Sequence, residues 1–206
     1  MGPGSWNAAG ARLPVVGQAR PERADAARNR EKLLAAARTL AAEKGIAAVT
    51  TSDVARAAGV AKGTVFHRFG DRAGLMRALL DEHERDLQER VLRGPPPLGP
   101  GAPAPTRLHA FIDALLDLTD EHRDLLLEVD GAQPAGRYRA GAYGAWHQHV
   151  VTLLKQLHAH TEPNLLAHAL LAPLAADLVL HLRDDEARPL AELRTALHEL
   201  VTRTLA

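Results

Sequence analysis

The stretch GPPPLGPGAPAP, residues 94 to 105, holds six of the chain's thirteen prolines. Proline has no amide hydrogen to donate and its ring collides with the preceding turn, so this stretch cannot be helix. It splits the 206 residues into two blocks in which helix is otherwise unopposed. No segment in either block alternates apolar and polar residues for long, β-branched residues are scattered, and Ala and Leu dominate. The fold class is therefore all-α, with a linker or long loop near the middle.

In the first block, Leu33, Leu34, Ala37, Leu40 and Ala41 mark one face of a helix from Ala26 to Lys44, and Gly45 stops it. The Thr and Ser cluster of TTSDVARAA caps a short second helix that ends at Ala58. Gly59 supplies the backbone conformation of a tight reversal, and a third helix runs from Lys62 to Phe69. Asp71 caps a fourth, from Arg72 to about Arg93. The second block reads as helices over about 106–119, 121–130, 137–160, 163–183 and 187–205, with no internal repeat. The first 24 residues are rich in Gly, Pro and Ala and are expected to be a disordered arm.

At 46% hydrophobic and 24% charged, the chain has the composition of a soluble globular protein. It has no cysteine, which excludes disulfides and thiolate metal sites. The apolar run from Leu165 to Leu182 is long enough to cross a bilayer but carries His168, Pro173, Asp177 and His181, so a buried bundle helix is expected, with no membrane partner and a cytoplasmic location. Zero net charge conceals an asymmetry. Residues 20 to 93 hold 15 Lys and Arg against 11 Asp and Glu, whereas residues 94 to 206 hold 9 against 14. A phosphate-bearing partner suits the first half.

Two short helices joined by a Gly turn, with a third helix in front, make a helix-turn-helix. Val54, Ala58, Val60, Val65 and Phe69 are spaced to face the first helix. Lys62, Gly63, Thr64, His67 and Arg68 are then left on or near the outer side of the third, a shape that fits the major groove of double-stranded DNA. Lys and Arg donate to guanine edges, Thr reaches a base or a phosphate, and Gly63 lets the backbone come close. Thr51, Ser52 and Arg72 start helices and suit phosphate oxygens.

With T-x-x-D-V-A-x-x-A-G-V-x-K-G-T-x-F-x-x-F and the opening of the fourth helix on the page, residues Ala27 to Leu87 resemble the DNA-binding domain of the TetR family of transcriptional regulators. The chain departs from that pattern twice. Phe66 stands where a Tyr commonly meets a phosphate, and Ala61 where a Ser commonly caps the third helix. The resemblance implies an N-terminal domain over 25–87 and a ligand-binding and dimerisation domain over 88–206. It also implies a homodimer through the last two helices on a palindromic operator, and a small, largely apolar effector. The effector would release a repressor, with the fourth helix coupling the two parts. Leu190, Leu193, Leu197, Leu200 and Val201 repeat at three and four, a seam that a partner helix or the chain's own core could use.

Pocket walls are expected from Phe111, Leu115, Leu118, Tyr138, Tyr143, Trp146, His149, Leu153 and His168. His147 and His149, like His158 and His160, are two apart and do not share a helix face, so no metal site is expected. No cofactor motif, phosphate loop or nucleophile elbow is present, and the chain is not expected to be an enzyme. Two other readings remain open: a helical interaction protein without DNA binding, and a small helical enzyme using pocket His and Tyr side chains.

Overall fold

A computed structural model describes residues 21–130, 138, 141–157 and 162–205. Among them there is no strand. Helix α1 spans Pro21–Lys44, α2 Thr51–Ala57, α3 Lys62–Phe69 and α4 Arg72–Arg93. The remaining helices are α5 over Ala104–Asp130, α6 over Gly141–Gln156, α7 over Pro163–Leu171, α8 over Ala176–Leu180 and α9 over Leu190–Leu205. The arm expected over 1–24 loses its last four residues to α1; the rest of it lies outside the described residues.

Two cores organise these helices. The first, the head, gathers Leu33, Leu34 and Ala37 of α1 with Val54, Val65 and the first half of α4, Leu75 to Leu80. The second, the body, begins at Leu87 and Val91 and takes in Phe111, Ile112, Leu116, Trp146, Val150, Leu153, Leu154 and Val201. Helix α4 thus belongs to both. So does α5: its backbone leaves helical geometry at His122 (φ −117°, ψ 21°), and beyond that bend Leu125, with Leu126 and Val129 against it, joins the head.

Two sequence expectations are corrected and one open alternative is narrowed. The Pro-rich insert is a compact turn pinned by Leu98, which is buried in the body core, and α5 starts at Ala104 rather than 106. The helix expected over 163–183 breaks: Pro173 forces a 3-10 turn over Ala172–Leu174, and the chain closes in a π turn over His181–Asp185. This run, Pro163–Asp185, is long and apolar enough to cross a membrane, yet Ala167, Leu170, Leu171, Leu174 and Val179 pack inside the body. Finally, the leucine seam of α9 is largely used within the chain. Leu193, Leu197 and Val201 are buried there, and Leu200 remains exposed.

Candidate nucleic-acid interface

The α2–α3 unit is built from local rules. Thr50 caps α2, its hydroxyl accepting from the Asp53 amide at 3.1 Å and donating to the Asp53 carboxylate at 2.8 Å. Asp53 also receives Lys44 Nζ at 2.6 Å, tying the end of α1 to the start of α2. The Lys44 hydrogen bond and then that of Thr50 hold the Asp53 carboxyl down at about 2. Gly59 makes the reversal at φ +66°, and the Val60 amide returns to the Ala55 carbonyl at 3.0 Å. Gly70, at φ +78°, closes α3 with its amide on the Phe66 carbonyl at 2.7 Å. Asp71 then caps α4 through the Gly74 amide at 2.8 Å.

These constraints fix which side of α3 faces out. Val65 is fully buried and Phe69 half-buried, with the Arg30 guanidinium 5.9 Å from the Phe69 ring centre. Lys62, Gly63, His67 and Arg68 are exposed, Thr64 is half-buried, and Phe66 stands 70% exposed. Lys62, His67 and Arg68 carry no ion pair or side-chain hydrogen bond among the described residues. A Cβ placed on Gly63 would meet nothing within 4 Å, so nothing inside the chain requires glycine there. Thr51 and Ser52 sit half-buried in the first turn of α2.

Arg72 is placed differently from the expectation of a phosphate contact. Its guanidinium turns inward and donates to the Val49 carbonyl at 2.7 Å and the Ile46 carbonyl at 2.8 Å. It also pairs with both carboxylate oxygens of Glu128 on α5, one of them at 3.0 Å. Arg72 thereby satisfies the Val49 carbonyl and adds a second donor to the Ile46 carbonyl, which also accepts from the Val49 amide at 3.1 Å. It therefore acts as a strut between head and body. Sequence could have hinted at this only through the lone acid, Glu128, on an otherwise apolar run.

The expected pocket residues divide. Leu115, Leu118, Tyr143 and Trp146 do line one cleft of about 60 Å3 in the body, joined by Thr119, Leu126, Leu171 and Leu174 and reaching Arg77 and Glu84 of α4. Phe111 and Leu153 are instead fully buried core. His149 is half-buried with its ring against Phe111, and its Nε2 lacks a partner. Burial, with the Arg107 charge adding to it, pushes His149 down to about 4. His168 lies at the surface, its Nδ1 sharing a 2.7 Å hydrogen bond with the Tyr143 hydroxyl, and exposed Tyr138 meets the Tyr143 ring edge-on.

Residues 33–79 match the sequence model of the bacterial regulatory proteins of the tetR family. Over 64 residues the chain is 39% identical to the HTH-type transcriptional regulator BetI of Stenotrophomonas maltophilia, covering 31% of this chain and 33% of that one. Over 112 residues it is 28% identical to AcrR of Shigella flexneri, covering 54% and 52%. The chain thus spans about a third to a half of the curated relatives it matches. Among solved structures, a TetR-family transcriptional regulator from Pectobacterium atrosepticum superposes with a TM-score of 0.65 at 22% identity, over 86% of this chain and 94% of that one. FadR of Thermus thermophilus, a TetR-family transcriptional repressor solved with lauroyl-CoA, gives 0.59 at 19% identity, over 86% and 95%. An outward basic helix on a locally determined base, a matching signature and a shared helical architecture point the same way: residues 33–79 carry the signature of the bacterial regulatory proteins of the tetR family, and the chain shares its fold with solved TetR-family regulators.

Proposed function

We propose that this protein is a cytoplasmic, dimeric transcriptional regulator that binds a palindromic operator through α3 and is released from it by a small apolar effector. The observation that carries this reading is the outer face of α3, where Lys62, His67 and Arg68 are exposed and unpaired beside a glycine the fold itself does not need. Lys62 and Arg68 read base edges, while Thr51, Ser52 and Thr64 set register on phosphates. Phe66 packs on the sugar-phosphate backbone without the hydroxyl bond a Tyr would make.

A second copy docks on α8 and α9, where Leu178 and Leu200 remain exposed at 40% and 39%. Two heads then reach grooves one helical turn apart, about 34 Å. The body cleft, at about 60 Å3, is smaller than the roughly 300 Å3 a drug-sized ligand occupies. An effector must therefore spread α4, α5 and α6 to enter. Because α4 and α5 both continue into the head core, that spreading moves α3. Linkage requires the effector to lower operator affinity by the factor that operator lowers effector affinity.

Mobility shifts with the intact protein on promoter regions beside its own gene test this. Sequence-selective retardation that weakens steeply with added salt is the expected result. Binding indifferent to sequence, or none, removes the proposal. In that case partner capture by the intact protein would favour a helical interaction protein instead.

A further inference from the structure

A roomier cleft than the one in the body lies between head and body. At about 440 Å3, it opens between α1, the turn after it, α4 and the bend of α5, within the roughly 300–1,000 Å3 that small-molecule sites occupy. Its apolar floor comes from both parts: Ala41 and Ile46 of the head, Leu79 of α4 and Leu125 of α5. On one wall the imidazoles of His83 and His122 stack, ring centres 3.7 Å apart and planes inclined by 28°. Burial, and then the neighbouring His83, push His122 toward its neutral form, and the stacked rings offer a flat aromatic surface.

The charge of the remaining wall is negative. Arg38, the basic group of the cleft, is already engaged by Glu31 at 2.8 Å and by Glu82. Asp124 is exposed and has no ion pair among the described residues, and Glu121 has only His122, 3.9 Å away and charged only when protonated. The room, the floor and the stacked rings indicate a ligand; the two carboxylates set only its sign.

We propose that this cleft between head and body binds a small planar aromatic cation, seated on the Ala41, Ile46, Leu79 and Leu125 floor, stacked on the His83 and His122 pair and neutralised by Glu121 and Asp124. The site is separate from the body cleft and does not depend on the regulator reading. Its occupant touches α1 and α5 at once and so spans the two parts.

The test uses the full chain without DNA, so its outcome is independent of operator binding. Benzamidinium, neutral benzamide and anionic benzoate are titrated at pH 8 while the histidine ring signals are followed by NMR, with His83→Gln and His122→Gln as assignments. Benzamidinium is expected to shift those two signals saturably and to bind at least tenfold more tightly than benzamide, with benzoate weaker still. Glu121→Gln with Asp124→Asn should bring benzamidinium down to the level of benzamide. Ala42→Phe, which fills the cleft from an exposed helical position, should abolish binding of both. Equal binding of the charged and neutral probes, saturable shifts confined to other histidines, binding that survives Ala42→Phe, or no saturable binding by any probe would each overturn the proposal.

Discussion

Helix α3 of the head and the helices of the body treat their basic side chains in opposite ways. In the body, Arg194 bonds Asp113 and Asp117, Arg183 bonds Asp120, Arg123 reaches Asp184, and Arg203 reaches Glu199. These guanidiniums hold helices to one another or brace one turn of a helix. On α3 of the head, Lys62, His67 and Arg68 point into water with nothing to hold. A surface cation left unpaired contributes little to folding, which leaves these three free for a partner. The contrast separates charge that braces the fold from charge left free for the proposed DNA contacts, and it does so more sharply than the totals for the two halves.

The strongest way to break the contrast is to attack the head from the body's side. Leu125→Ala on α5 removes a side chain that is 5% exposed in the head core and should cost about 2–5 kcal/mol. Hydrogen exchange should then show α1 to α3 losing protection before α6. Loss confined to α5 would mean that the two cores are independent.

Next in size are the cations proposed to read DNA. Lys62→Ala and Arg68→Ala should each cost about 1–3 kcal/mol in operator affinity and relax sequence preference, with thermal stability unchanged. Arg72→Ala should do the reverse. It takes the donor from the Val49 carbonyl and leaves Glu128 without its partner, lowers thermal stability by about 1–3 kcal/mol and changes operator binding only through the fold. Binding to randomised duplexes at fixed salt, beside calorimetric melting, distinguishes the two patterns.

A smaller effect sharpens the picture of the body. His149 is held down at about 4, so between its ordinary value of about 6.5 and 4 the unfolded chain takes up a proton that the folded chain refuses. Stability is full above about 6.5 and falls as pH drops toward 4. His109 and His122 are lowered as well and act in the same direction. Exposed His181, raised by its hydrogen bond to Asp185, has the opposite sign, contributing below its ordinary value and fading as pH rises. His149→Phe should flatten the melting-temperature profile over that window. An unchanged slope would assign the acid sensitivity elsewhere.

The smallest change is at the start of α3. Ala61 offers no side-chain cap, and Ala61→Ser should raise melting stability by about 1 kcal/mol. No gain would place the α3 amides in some other partnership.

The helix-turn-helix was legible because its determinants are local: a capping Thr, a glycine that must take positive φ, and apolar positions spaced for one partner. The cap itself, Thr50, is the first residue of the Thr and Ser cluster. Pro173 was also legible and was passed over in favour of a long helix. The bend at His122 falls two residues beyond the break expected between the helices over 106–119 and 121–130, although no proline or glycine marks it. Other features were not legible. The inward turn of Arg72 depends on carbonyls more than twenty positions away, and Leu98 in its proline-rich setting gives no sign that it is buried. The pocket residues were chosen for aromatic and apolar character, which a tightly packed interior and a cleft wall share; Phe111 and Leu153 proved to be the former.

The crossing of α5 into the first core limits how this protein can be taken apart. A fragment ending near Arg93 would lack Leu125 and, with it, Leu126 and Val129, leaving Leu79 and its neighbours bare to solvent on one flank. The N-terminal part is therefore no portable cassette. Any hybrid that grafts a different DNA specificity onto this scaffold must transplant the segment from the His122 bend through Val129 as well, together with the Arg72 and Glu128 clasp that fastens it.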